Sequence, residues 1–262
     1  MIDGPDSAEQ ADEHLDSGSS MPFLTHLEEL RWRLLKSILS IVVLAAAAFY
    51  FRNVLFDFLI LPLGDTELHF TEVTGSFYAY MKVALITGLL AALPFVFYQF
   101  WSFIAPGLYQ TEKAAVLPLV LVSTILFLIG ATFCYLTVLP TALWFLIHFS
   151  EVLVPVITVN SYISFSGMLL VAFGCGFELP VVSYFLGRLG IINARLMSKV
   201  RRYAFVAILI VGAIITPPDV LTQVLLAGPV YLLYEISIII VRMTERKREK
   251  DQATEEDETP SE

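Results

Sequence analysis

Residues Tyr162–Gly187 read YISFSGMLLVAFGCGFELPVVSYFLG and contain one acid, Glu178, and no Lys or Arg. A helix needs about 20 mostly apolar residues to cross roughly 30 Å of hydrocarbon. The stretch satisfies that length and is read as a membrane-spanning helix. Two residues within it run against that setting. An acid at the centre of a span costs about 2.5–3.5 kcal/mol on insertion scales, and Pro180 removes a backbone hydrogen bond. Glu178 sits below the midplane, some nine residues from the cytoplasmic end. Two readings stand side by side: a protonated carboxyl bonded to a neighbouring helix, or a functional polar contact lined by water.

Outward from this span, five more candidates appear: Leu34–Leu55, Phe77–Trp101, Ala114–Leu139, Tyr203–Ile215 and Thr222–Val241. At 1.5 Å per residue the fifth reaches only about 20 Å, so it needs a thinned bilayer or a partly wet site. Pro94, Pro118, Pro180 and Pro229 punctuate the spans, and each is expected to bend its helix. The fold class expected is an all-α integral membrane protein of six spans, its bent helices forming a concave cup, with helices 5 and 6 short. No internal repeat is evident, which argues against a transporter of inverted halves.

Composition agrees. The chain has 262 residues, 57% hydrophobic and 16% charged, with a mean hydropathy of +0.74. Soluble domains average about 45–50% apolar and about 25% charged. A disordered chain, a coiled coil and almost any ordinary soluble enzyme are excluded. The net charge of −9 comes from two tails. Residues 1–20 and 251–262 each carry six acids and no Lys or Arg, leaving the body at +3. Three parts follow: an acidic, unfolded cytoplasmic tail at 1–21, a membrane domain at 22–242, and a charged, unfolded cytoplasmic tail at 243–262.

Fourteen of the Lys and Arg residues fall on one side of the six spans, and only Arg52 and Lys82 on the other. The positive-inside rule then predicts that both termini are cytoplasmic. The N-terminus lacks the basic and apolar regions of a cleavable signal peptide. Arg246-Lys247-Arg248 reads as the usual cytoplasmic anchor beside the last span. Cys134 and Cys175 read as small buried hydrophobes, neither a disulfide nor a metal pair.

Enzyme motifs for zinc proteolysis, serine hydrolysis and nucleotide binding are absent. His14, His26, His69 and His148 have no metal spacing, and no cofactor or metal is expected. Ser164 and Ser166 have no histidine on a facing span, which leaves an intramembrane enzyme without a base. The remaining chemistry lies in a few charged residues. In Thr25-His26-Leu27-Glu28-Glu29-Leu30-Arg31, Thr25 and Glu28 fit a capping box. Glu29 then either pairs with Arg33 at i,i+4 or is free to bind. Glu112 follows Thr111, and serves either the dipole of the third helix or a ligand. Glu29 and Glu112 share the cytoplasmic face, where two carboxylates suit two guanidinium groups. Glu235 either leans outward from the sixth helix or carries function. Asp219 is expected to cap that helix. Arg31 and Pro62 complete the structural or functional positions.

Five stretches together resemble one family. They are His26-Leu27-Glu28-Glu29-Leu30-Arg31, Pro94–Trp101, Pro106-Gly107-Leu108-Tyr109 with Glu112, Phe177-Glu178-Leu179-Pro180, and Thr216-Pro217-Pro218-Asp219 with Gln223. The chain is identified by them as a member of the TatC family, the six-span receptor subunit of the twin-arginine protein translocase. The resemblance runs from about residue 22 to 242. It implies that Glu29 and Glu112 contact the paired arginines of signal peptides on folded substrates. It implies that Glu178 and Gln223 meet single-span TatA- and TatB-like subunits in the membrane. Further copies of the chain and membrane lipid are the other expected partners, and nucleic acid is not one. Export driven by the proton gradient across the inner membrane of a prokaryote is the implied function. The departures are Thr222 where serine is usual, and a long acidic lead. The alternative, a proton- or ion-coupled small-solute transporter working through Glu178, lacks a second midplane acid and paired unwound helices.

Overall fold

The computed structural model describes residues 17–64, 66–70, 72–104, 116–149, 156–215 and 220–258. Almost all of them are helical. Helix α1 (Ser17–Tyr50) breaks at Phe51 and continues as α2 (Arg52–Ile60), followed by a 3₁₀ turn at Leu61–Leu63 with Pro62 in it. A two-residue strand β1 (Leu68–His69) precedes α3 (Gly75–Ile104). Helix α4 (Val116–Phe133) passes through a π segment (Cys134–Val138) into α5 (Leu139–His148). Strand β2 (Ile157–Thr158) leads into α6 (Val159–Phe177), then α7 (Leu179–Arg188), α8 (Ala194–Ile215) and α9 (Val220–Glu258).

Among the described residues, five helical stretches are long and apolar enough to cross a membrane: His26–Tyr50, Gly75–Ile104, Val116–His148, Val159–Arg188 and Thr222–Arg248. The central one is Val159–Arg188, half buried within the protein, while only 6% of the His26–Tyr50 window is buried. Large apolar side chains such as Leu39, Val43, Leu121 and Ile239 are exposed. A soluble protein does not display this much apolar surface; a bilayer makes it the favourable face.

Several boundaries differ from the sequence reading, each for a local reason. The first span stops at Tyr50 and not at Leu55, because the helix is interrupted at Phe51, whose φ of −95° and ψ of 16° leave the helical range and whose N–H bonds the Ala48 carbonyl. Arg52 lies over the Phe49 ring at 5.2 Å, a cation on an aromatic of the kind that collects at membrane interfaces. Thr25 and Glu28 sit inside a helix that begins at Ser17, so they form no capping box. Pro118 lies in the first turn of α4, where its missing N–H costs nothing, and it bends nothing. Pro140 does perturb its helix: the π segment ends just before it, absorbing one extra residue. Cys134 is buried, whereas Cys175 is exposed on the outer face of α6. An apolar thiol can face lipid as readily as protein.

The fifth helix is longer than its apolar part. It begins at Ala194 because Asn193 caps it, its Oδ1 accepting from the Leu196 N–H at 2.6 Å. The Glu245 carboxylate accepts from the Ala194 N–H at 3.0 Å. The expected Tyr203–Ile215 is thus the apolar half of a 22-residue helix whose first half carries Arg195, Lys199, Arg201 and Arg202. The last helix likewise runs past Val241 to Glu258. Extension of an existing helix through Glu, Lys, Arg and Ala needs no new nucleus.

Close packing and polar stitches hold the spans together. Helix α1 lies along α3, and Gly88 is the point of closest approach. A Cβ there would fall 2.5 Å from the Ala45 backbone nitrogen. Trp101 of α3 donates to the Ser123 hydroxyl of α4 at 3.0 Å. Tyr162 donates to the Leu59 carbonyl at 2.7 Å, satisfying a buried acceptor in the last turn of α2. Strands β1 and β2 pair in parallel, Leu68 with Ile157 and His69 with Thr158. Just inside that corner the Lys82 ammonium of α3 donates to Asn160 Oδ1 and to the Ser164 hydroxyl of α6 at 2.7 Å. An open groove of about 650 Å³ runs from Lys82 between α1, α3 and α6, lined by Ile41, Leu85, Leu89 and Met168.

The Gly88 contact yields a test. Gly88→Val should lower the stability of the purified chain in detergent by about 1–3 kcal/mol, the usual cost of overpacking. Gly228→Ala, with open space at its Cβ, should change it by less than about 0.5 kcal/mol. Thermal unfolding followed by circular dichroism reads both.

Candidate functional site

Two polar clusters stand out at the basic end of the bundle and within it. The first is on the N-terminal part of α1. Glu29 and Arg33 are one helical turn apart, with the acid nearer the N-terminus, the favourable order. Arg33 donates from Nε and Nη2 to Glu29 Oε1 at 2.9 and 2.7 Å. Its Nη1 reaches Gln99 Oε1 of α3 at 3.4 Å. Among the described residues, the Glu29 Oε2 contact is with the His26 ring, 3.8 Å away. The His26 ring in turn stacks on Phe103 with centroids 4.3 Å apart and an 11° tilt. Of the two readings of Glu29, the structure displays the pair with Arg33. One carboxylate oxygen is held by Arg33, and the other retains acceptor capacity on a half-exposed side chain.

Glu112 and Asp219 lie outside the described residues. Arg31 is exposed on α1. The ends of α3 and α4 that flank residues 105–115 meet in one small cluster, in which Ile104 and Val116 pack against Trp101, Val120, Val181 and Phe185. The roles of Gln99 and Phe103 were missed in the sequence, because both depend on α3 lying against α1.

The second cluster surrounds Glu178. The central span breaks there: α6 ends at Phe177, α7 begins at Leu179, and Pro180 occupies the first turn of α7. The Glu178 N–H bonds the Cys175 carbonyl at 3.1 Å, and its own carbonyl accepts from Val182 at 3.0 Å. The backbone is therefore satisfied through the joint. The side chain is not. It is 8% exposed, and neither carboxyl oxygen has a hydrogen-bond partner among the described residues. Ser123 of α4 is the hydroxyl nearest to it; its oxygen accepts from the Trp101 indole, and its own proton remains available to donate.

The α8–α9 hairpin is the third place where predicted residues fall. Gln223 donates from Nε2 to the Leu209 carbonyl at 2.9 Å. Tyr234 donates to the Met197 carbonyl at 2.8 Å. Glu235 Oε1 meets Arg201 Nε at 2.8 Å. With Glu245 on Ala194, these make an antiparallel series of rungs down the hairpin. Gln223 and Glu235, singled out separately in the sequence, belong to one structural ladder.

Ser164 is not placed as an activated nucleophile. Ser164 accepts from Lys82 but donates its own proton to the Asn160 carbonyl at 2.7 Å. A nucleophile activated by that amine would have to donate towards it. Among the described residues, no three His, Cys, Asp or Glu side chains converge on a metal position.

Lipid-facing helices, a carboxylate anchored at the basic end and an unsatisfied carboxyl inside define an integral membrane protein of several spans. Comparison with known proteins makes this specific. The family described as Sec-independent protein translocase protein (TatC) matches residues 25–229. The Aquifex aeolicus Sec-independent protein translocase protein TatC is 43% identical over 239 residues, covering 88% of this chain and 99% of that one. The Desulforapulum autotrophicum protein of the same name is 40% identical over 237 residues, 88% of each chain. A crystal structure of the twin arginine translocase receptor TatC is similar with a TM-score of 0.77 and 42% identity, covering 84% of this chain and 99% of that one. The chain belongs to the TatC family.

The isolated Glu178 carboxyl sets up a measurable conflict between stability and use. Glu178→Leu should raise the thermal stability of the purified chain in detergent by about 1–3 kcal/mol, the usual cost of a buried polar group without a partner. A fall in the melting temperature would mean that the carboxyl is bonded in the folded chain.

Proposed function

We propose that this chain is the signal-peptide receptor of a twin-arginine translocase. Membership of the TatC family supports the reading, and the Glu29 arrangement is the observation that carries it. A signal's arginine brings a planar fork to the open Oε2 of Glu29, while Arg33 holds Oε1 and so fixes the carboxylate plane. The end of α3 lies beside this position, with Phe103 stacked on His26, and Glu112 follows within the next segment of chain; the family resemblance makes it the second carboxylate for the second arginine. The apolar stretch of the signal lies in the groove between α1, α3 and α6.

Glu178 serves a different event. Its carboxyl, which has no hydrogen-bond partner among the described residues, is the hydrogen-bond group for a polar residue on a single-span subunit of the complex. Gln223 lies on the hairpin that such a subunit adjoins. The six-span membrane domain has both termini in the cytoplasm, and the body lies in the inner membrane of a prokaryote. Translocation of folded substrates draws on the proton-motive force, and no catalytic step by this chain is required.

Affinity for a synthetic signal peptide tests the receptor role. Charge-assisted hydrogen bonds are worth roughly 1.5–3 kcal/mol each, so Glu29→Gln and Glu112→Gln should each weaken an Arg-Arg signal by about 10- to 100-fold. A Lys-Lys signal, lacking the fork, should bind the unaltered protein more weakly than Arg-Arg. Equal affinity for both signals, or unchanged binding in both variants, would overturn the assignment. Uptake of a small solute into vesicles by the purified chain alone, abolished by Glu178→Gln, would favour the transporter reading.

A further inference from the structure

Glu29 stands between two partners on its own helix. Arg33 takes Oε1 through Nε and Nη2, and His26 Nδ1 lies 3.8 Å from Oε2. The His26 and Glu29 side chains are both partly exposed, so a ligand reaches Oε2 and Nδ1 together. The imidazole is held from the far side by Phe103 of α3, stacked 4.3 Å between centroids and 11° from parallel. That stack sets where Nδ1 stands relative to the carboxylate.

What Nδ1 offers depends on the charge of the ring. A neutral imidazole with its proton on Nε2 presents Nδ1 as an acceptor. Oε2 and Nδ1 are then two acceptors side by side, and a guanidinium brings two N–H donors on one edge in a fixed fork. A protonated imidazole presents a donor at Nδ1 instead. It is drawn to Oε2, and its charge strengthens the stack on Phe103. The single negative charge of Glu29 then serves Arg33 and His26 at once, and an incoming arginine would be the third cation on one carboxylate. The same ring is part of the seat when neutral and its occupant when charged.

We propose that His26 is a further signal-binding residue: its neutral Nδ1 accepts from the arginine that Glu29 Oε2 holds, and its protonated form closes the seat. The inference rests on the receptor reading above. Among the described residues, the charged groups facing the ring are Glu29 and, behind it, Arg33. Glu28 and Arg31 lie on other faces of α1. Gln99 and Phe103, which meet the cluster from α3, carry no charge. Glu112 and Lys113 follow in the segment after α3, outside the described residues. Carboxylates, ammonium groups and guanidinium groups ordinarily keep their charge between pH 6 and pH 8, whereas an imidazole gains its charge in that window.

A synthetic Arg-Arg signal peptide, acetylated and free of histidine, is titrated into the purified full chain in detergent at pH 8 and at pH 6. The unaltered chain should bind it about fourfold more weakly at pH 6. His26→Phe keeps a ring against Phe103 but has no acceptor. It should bind about tenfold more weakly than the unaltered chain at pH 8, with no further loss at pH 6. His26→Asn brings an amide oxygen towards the Nδ1 position without a titrating ring. It should stay within about threefold of the unaltered chain at pH 8 and also lose the pH dependence. His69→Asn with His148→Asn, far along the chain from α1, should keep it. The pH ratio is taken within each variant, so partial loss of folded protein does not imitate it. PH dependence retained in His26→Phe, full affinity of His26→Phe at pH 8, or equal weakening in His26→Phe and His26→Asn would each overturn the seat. Binding by the unaltered chain at pH 8 without loss at pH 6 would sink this inference alone; no binding at either pH would sink the receptor reading with it.

Discussion

Hydrocarbon supplies no hydrogen-bond partner for a peptide group, and the architecture follows from how each break in a helix is compensated. The chain breaks its helices at Phe51, before Pro140 and at Glu178. At the first, the Phe51 N–H bonds the Ala48 carbonyl and the Phe51 carbonyl accepts from Leu55, while at the far end of α2 Tyr162 and Tyr135 from later spans reach the carbonyls of Leu59 and Phe58. At the second, a wider turn absorbs the proline without leaving the helix. At the third, the backbone closes on itself through Cys175 and Val182, and only the Glu178 side chain is left over. The backbone is thus closed at the Glu178 joint, and what is left wanting in the central span is side chain, the Glu178 carboxyl and the Ser166 hydroxyl, placed there by the sequence and not forced by the chain's path.

That contrast organises the polar residues. Glu29 is held in a defined plane by Arg33, which in turn leans on Gln99 of the neighbouring helix. Positioning of this sort suits recognition of a planar cation, because the receptor carboxylate loses little freedom on binding. Gln223 and Glu235 spend their polar groups within the α8–α9 hairpin, so the shortest apolar segment in the protein is braced by its neighbour along its length.

The spans, their approximate order and the oddity of Glu178 were legible in sequence, because apolar length and an isolated acid are one-dimensional signals. The Glu29–Arg33 pair was legible too, as one of two readings at i,i+4 spacing. Helix ends were not. The start of α1 at Ser17 has no cap or breaker that separates it from Thr25, and α8 begins with four basic residues that hydropathy assigns to a loop. Asn193 was the available signal for that helix start. Cys175 went wrong because apolarity in a membrane protein does not distinguish lipid from core. Pro118 and Pro140 look alike in sequence, and only the helix boundaries decide which one disturbs its helix. Gln99 and Phe103 gained their roles from the lie of α3 against α1, which no spacing encodes.

The corner formed by β1, β2 and Lys82 limits how the bundle can move. Both strands feed helices that leave in the same direction, α3 and α6, and their backbone pairing lies beside the Lys82 bonds to Asn160 and Ser164. Sliding α6 lengthwise past α3 would break the strand pairing and both ammonium bonds at once. Tilting about that corner would break none of them. The sparse-charge end is therefore a fulcrum, and displacement of these two spans grows with distance from it, past the Glu178 joint and towards the basic end, where Gln99 lies.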